Sequence, residues 1–220
     1  MSYRAWGTII VVVALIIVGS VVFLQTSNSP RPSTHEDIGT ELGGGRIELP
    51  DAGIAITTPS DWTAWRPSTS WQDWWAAGTV VHLWMEPSSD AEEWWMGTCG
   101  IGEDCTLDRM VAAGGEAYCW IVDDTELAAE AEWSGPASPA ARTAAGLAEQ
   151  EGWTEIGTAL EQLPSGEASV VRAVDPNGWP QWMWHLTDGE RWSRLICSVL
   201  DGETDPRAIA ETLEFLPLSR

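Results

Sequence analysis

The chain has 220 residues, room for one domain plus an anchor, and its 33 acids against 11 bases give a formal net charge of −22 at pH 7. Every base is arginine, and a surface of this sign repels phosphate backbones and anionic headgroups, which disfavours nucleic-acid binding and peripheral lipid docking. The acidity reads first as solvation and second as a match for a cationic partner.

Residues 5–24 form an uncharged run of 20 residues, almost pure Ile and Val from Ile9 to Ile17. At about 1.5 Å per residue a helix of this length covers the roughly 30 Å hydrocarbon core. Trp6 and Tyr3 stand at interfacial height. The run is therefore read as a single-pass anchor in the plasma membrane, with residues 1–4 as its cytoplasmic end. A cleaved signal peptide is the rival, but its exit would be Val18-Gly19-Ser20, inside the run rather than after it. No Cys follows, which excludes a lipoprotein signal. Arg4 on one side and Arg31, diluted by Glu36 and Asp37, on the other favour an inside amino terminus only slightly. Residues 25–45 lack an apolar period and end in Gly43-Gly44-Gly45, the pattern of a tether. The extracytoplasmic domain is then expected over 46–220.

Within it, 46–49 and 53–57 read as short strands, with Ile54 and Ile56 on one face, and Pro59-Ser60-Asp61-Trp62 as a turn. Residues 79–85 alternate strictly, which places Val81, Leu83 and Met85 together. Asp90 can cap a helix over 91–96, and 106–113 reads as another, stopped by Gly114-Gly115. A buried strand follows at 119–122. The clearest helix is 140–151, with Ser138 as cap, Pro139 in the first turn and Gly152 at its end. A strand over 153–163 leads into a meander of 167–174, 179–186 and 191–200, joined by Asp175-Pro176-Asn177-Gly178 and Thr187-Asp188-Gly189-Glu190. A last helix is expected from Asp205-Pro206 to about Phe215. This order predicts an α+β domain, an antiparallel sheet covered by helices.

The four cysteines stand at 99, 105, 119 and 197, beyond the anchor. An even count in a translocated domain fits two disulfides, with three possible pairings. Cys99 and Cys105 bound a short Gly-containing loop, and Cys119 and Cys197 each lie in an apolar strand, so the expected pairs are Cys99–Cys105 and Cys119–Cys197. Zinc fits poorly, because five residues separate the nearest pair and no His is near. Four free buried thiols remain as the other alternative.

For chemistry, His82 and His185 sit in strands among apolar neighbours and read as satisfied strand histidines before general bases, while His35 falls in the tether. There is no Gly-x-Ser-x-Gly elbow, no phosphate-cradling glycine loop and no Lys for Schiff-base chemistry. Glycoside hydrolysis would need two acids face to face in a cleft, of which the pattern gives no sign. Gly102-Glu103-Asp104 or Asp123-Asp124 could offer oxygens to calcium, without a calcium-loop spacing. Half of the 16 Trp fall within 62–95: Trp62, Trp65, Trp71, Trp74, Trp75, Trp84, Trp94 and Trp95. Adjacent rings cannot both face inward from a surface element. Trp71, Trp74, Trp75, Trp94 and Trp95 are accordingly the candidate partner- or ligand-binding residues. The bland reading is that Trp fills this core generally, as Trp182, Trp184 and Trp192 suggest.

Two blocks of the domain resemble a known family. Ile47-Glu48-Leu49-Pro50-Asp51-Ala52-Gly53-Ile54-Ala55-Ile56 with Pro59-Ser60-Asp61-Trp62 is similar to the first hairpin of PsbP-like domains. Leu163-Pro164-Ser165-Gly166-Glu167-Ala168, Leu195-Ile196-Cys197 and the segment from Ile209 to Pro217 resemble their close. The resemblance implies an α/β/α sandwich around an antiparallel sheet, in a non-enzymatic domain that binds or assembles with another protein. Its motifs are packing and turn motifs, so they carry no chemistry. The expected function is membrane-anchored binding of another envelope protein through the Trp-rich middle. No catalytic, metal or cofactor residue is assigned. A cell-wall or carbohydrate-binding module is the alternative, and a hydrolase a third.

Overall fold

Alternating apolar strands, each with one face to cover, account for most of the architecture. The computed structural model describes residues 39–69, 80–87, 117–199 and 204–217. Its strands are β1 (Gly39–Gly43), β2 (Arg46–Leu49), β3 (Ile54–Thr57), β4 (Trp62–Pro67), β5 (Val80–Pro87), β6 (Ala117–Asp123), β7 (Thr154–Leu163), β8 (Gly166–Val174), β9 (Pro180–Thr187), β10 (Trp192–Val199) and β11 (Glu214–Phe215). The helices are α1 (Thr125–Glu130), α2 (Ala137–Ala148) and α3 (Pro206–Ala210). The fold is α+β, mostly antiparallel sheet with few helices.

The large sheet runs β1-β4-β5-β6-β10-β9-β8-β7, and a small sheet runs β11-β3-β2. Two meanders, β4-β5-β6 and β7-β8-β9-β10, thus meet at a seam between β6 and β10. Seven residue pairs form that seam, from Ser193 opposite Asp123 to Val199 opposite Ala117. Cys119 lies directly opposite Cys197 and is bonded to it, the expected pairing. Cys99 and Cys105 lie outside the described residues, as do the expected helices 91–96 and 106–113.

One face of the large sheet packs on the small sheet and α3. Leu83, Met85, Ile121, Val170, Trp184 and Leu195 meet Ile54, Ile56, Ile209 and Leu213 there in one apolar cluster. The opposite face gathers Trp65, Val81, Trp84, Tyr118, Val122, Val171 and Ile196 with Ala140 and Leu147 of α2. Helix α2 lies across β7, β8 and β9.

Four sequence expectations change. Strand β5 does not alternate throughout: the register shifts between Val81, opposite Val122, and Leu83, opposite Ile121. A bulge at His82 therefore sends Val81 to the Trp84 face while Leu83 and Met85 stay on the other. Gly39–Gly43, expected as part of a tether, instead pairs with β4 as the sheet's border strand. Gly39 fits there because a Cβ would collide with the Arg66 carbonyl. Strand β4, unforeseen, follows the expected turn, which is closed by Trp62 N–H donating to Pro59 O at 3.1 Å.

The final helix stops at Ala210 rather than near Phe215. Thr212 Oγ1 lies 2.8 Å from Ile209 O and 3.0 Å from Thr57 O, with one proton to donate between them, and accepts from Thr57 N–H. That local bonding competes with the helix ladder and turns Glu214–Phe215 onto β3. Helix α2 is also displaced toward the amino terminus of its expected range, and α1 was not foreseen.

Among the described residues no helix is long and apolar enough to cross a membrane. The expected anchor, 5–24, lies outside them.

Both seam sulfurs are fully buried, and their residues are 78 apart in sequence. Closing a loop of that size restricts the unfolded chain by about 4 kcal/mol in the chain-entropy account. Replacing both Cys119 and Cys197 by Ala is expected to lower the urea unfolding free energy by about 3–5 kcal/mol. An unchanged midpoint would show that the bridge adds nothing to stability.

Candidate functional site

The pairing of β8, β9 and β10 sets Ser169, His185 and Arg194 side by side, all on the α2 face. Asp124, just past β6, joins them because β10 lies next to β6. Its Oδ1 accepts from Arg194 Nη2 at 3.0 Å, and its Oδ2 stands 3.5 Å from His185 Nδ1. On the far side of the ring, His185 Nε2 hydrogen-bonds Thr143 Oγ1 of α2 at 3.1 Å. Trp133, in the α1–α2 connection, presents its edge to His185 at 5.9 Å and to Trp192 at 5.1 Å.

Burial holds His185 below the ordinary imidazole range; the Asp124 hydrogen bond opposes this and the Arg194 charge reinforces it. The imidazole is therefore held neutral while Arg194 offsets the Asp124 carboxylate. Asp, His and hydroxyl follow in the order of a nucleophile relay. Here, however, His185 is only 1 % exposed, beneath Thr143 of α2 and Trp133 of the α1–α2 connection, so a substrate cannot approach. The arrangement pins both helices to the sheet.

A second polar row crosses the same face. Tyr118, Ser198 and Gln181 are cross-strand neighbours, all buried. Buried Glu86, one strand over on β5, has its carboxyl pushed up to about 7 by burial, against a lowering hydrogen bond from Trp84. Beside it Trp84 stacks on Tyr118 at 5.0 Å and meets Trp120 edge-on at 5.7 Å.

Trp62, Trp65 and Trp84, three of the eight clustered tryptophans, are thus core residues. Trp71, Trp74, Trp75, Trp94 and Trp95 lie outside the described residues. The ten described tryptophans are all buried or half-buried.

Among the described residues, clefts open on the small-sheet side. The larger, about 350 Å³, lies between the β3–β4 turn and α3, rimmed by Thr58, Asp61, Asp205 and Thr212 with Ile209 and Trp62 on its floor. The smaller, about 150 Å³, sits among Asp51, Arg66 and the bulged His82. Arg66 donates to Asp51 at 3.2 Å, and His82 Nε2 is 3.6 Å from Asp123, whose carboxyl it holds down at about 2.

Asp123 and Asp124, possible calcium ligands on the sequence alone, are engaged with His82 and Arg194 respectively. Among the described residues no group of three or more His, Cys, Asp or Glu is placed to hold a metal ion. Gly102-Glu103-Asp104 lies outside them. The sequence reading missed Glu86 and the Asp124–Arg194 pair; an acid inside an apolar strand run was the available signal for Glu86. No family model matches the chain, and no curated protein matches it in sequence.

Removing one partner of a partly buried ion pair such as Asp124–Arg194 strands the other. Asp124→Ala is expected to cost about 3 kcal/mol in urea unfolding, and Asp124→Leu combined with Arg194→Met distinctly less. A double variant as unstable as the single one would contradict the pairing.

Two of the buried titratable groups, Glu86 and His185, act in opposite directions. Glu86, raised from 4.5 to about 7, contributes stability that is full below 4.5 and lost as pH rises to about 7. His185, lowered from 6.5, contributes stability that is present above 6.5 and lost as pH falls below it. Facing it are Arg194, Asp124, Thr143, Ser169 and Trp133. Glu86→Gln should therefore stabilise the domain at pH 8 by about 2 kcal/mol and leave pH 4 nearly unchanged. His185→Gln should flatten only the acid side of the thermal-stability profile.

Proposed function

We propose that this chain is a non-catalytic binding or assembly domain, held on the outer side of the plasma membrane by a helix over residues 5–24. The observation that carries the reading is the Cys119–Cys197 bridge, which joins the two halves of the sheet and belongs to an oxidising compartment. The apolar run at 5–24 supplies the means of reaching that compartment. A PsbP-like sandwich is supported by a large antiparallel sheet that has α2 on one face and the small sheet with α3 on the other. The shut Asp124–His185–Thr143 relay favours binding over hydrolysis.

The partner on this reading is another envelope protein, contacted through Trp71, Trp74, Trp75, Trp94 and Trp95. Full-length protein should resist carbonate extraction from membranes, and protease added outside the cell should cleave its domain. Crosslinking in intact cells should trap a protein partner, and replacing Trp71, Trp74 and Trp75 by Ala should reduce that product at least fivefold. Soluble protein after lysis would refute the anchor. Retention on cell-wall glycan without a protein crosslink would replace the protein partner by a sugar.

A further inference from the structure

Of the sheet borders, β7 is the longest, with ten residues against five in β1, four in β2 and two in β11. Pairing with β8 uses one side of its backbone and turns the other row of N–H and C=O groups outward. Residues 157–160 are exposed on both faces, and Leu160 is 55 % exposed. Borders of this kind are usually blunted by Lys, Pro or a bulge. Here Lys is absent from the chain and Pro from the strand. The one irregularity, between Thr154 and Gly157 where Glu155 has φ 53°, leaves Gly157–Leu163 in regular register with β8.

The charge along this border is one-sided. Glu149, Glu151, Glu155 and Glu167 are exposed around the strand. Glu161 accepts from Arg172 at 2.7 Å and from the Trp184 indole at 3.2 Å, so the nearby cation is already committed. A second copy of the chain would bring the same carboxylates together, and like charges across a strand pair repel. An extended cationic segment meets both demands, ladder hydrogen bonds and charge.

We propose that β7 accepts, as a ninth strand, an extended Arg- or Lys-bearing segment of a partner polypeptide, with apolar side chains over Thr158 and Leu160. This rests on the reading of the chain as a binding domain, but it uses none of the Trp-rich segment's residues. Strand addition takes its affinity from main-chain bonds and its selectivity from alternate side chains.

The test uses full-length protein in detergent and a blocked ten-residue peptide alternating Val and Arg, titrated by fluorescence anisotropy. Two further peptides are N-methylated on either the odd or the even residues. Only alternate N–H groups of an added strand face its neighbour. One methylated peptide should therefore bind at least tenfold more weakly while the other binds as before, and a Val/Glu version should not bind. Thr158→Lys with Leu160→Lys should weaken the parent peptide at least tenfold without shifting the thermal melt.

Trp71→Ala with Trp74→Ala should leave peptide binding unchanged, whether or not the crosslink above is lost. Failure of the Trp-mediated contact is thereby separated from failure of the strand site. Equal binding of all the Arg peptides, no binding, or loss on changing Trp71 and Trp74 would each overturn the proposal. So would a dimer, seen by light scattering, that the β7 changes dissociate, because the border would then belong to a second copy.

Discussion

The contact on which the rest depends is the seam between β6 and β10. Nothing local in the chain brings these strands together, since the connection between them contains α1, α2 and three strands of the second meander. Once they pair, one continuous sheet exists and both of its faces can be covered. The disulfide sits one pair from the middle of that seam, in the fully buried layer facing the small sheet. Closing so long a loop is entropically unfavourable for a free chain, and the covalent link reduces that penalty in the oxidised protein.

The seam also creates the polar centre. Asp124 follows β6 and Arg194 lies on β10, so the ion pair exists only because those two strands are neighbours. His185 enters from the next strand and Thr143 from the covering helix. A half-buried arginine with one carboxylate and a neutral imidazole is a selective arrangement: another register of β9 would turn His185 to the apolar face and leave Asp124 and Arg194 without it. The centre thus specifies register as well as helix placement.

Much of the meander was legible because its signals are local. Asp175-Pro176-Asn177-Gly178 encodes its own turn: Asp175 Oδ1 accepts from Asn177 N–H and Trp179 N–H, and Gly178 takes φ 87°. The pairing of Cys119 with Cys197 was legible because two apolar strands had to lie side by side. What was lost was nonlocal. The bulge at His82 is a matter of register with β6, which residues 79–85 do not contain. Strand β1 reads as polar tether because a border strand needs no apolar face. Thr212 ends α3 through a bond to Thr57, 155 residues away. The polar centre was equally hidden, because its residues come from separate elements. The Trp-rich candidates lie in segments 70–79 and 88–116, beyond the described residues.

The position of the bridge has a mechanical meaning. Tension entering through the amino-terminal border reaches β1 first, a five-residue strand held to β4 alone within the large sheet. Strands loaded from an edge in this way can unzip ladder by ladder, at low force. Peeling that passes β4 and β5 then arrives at β6, where a covalent bond reinforces the hydrogen bonds to β10. A domain tugged from one border would yield in the first three strands of the large sheet and hold in the other five, with the sulfurs as the stop.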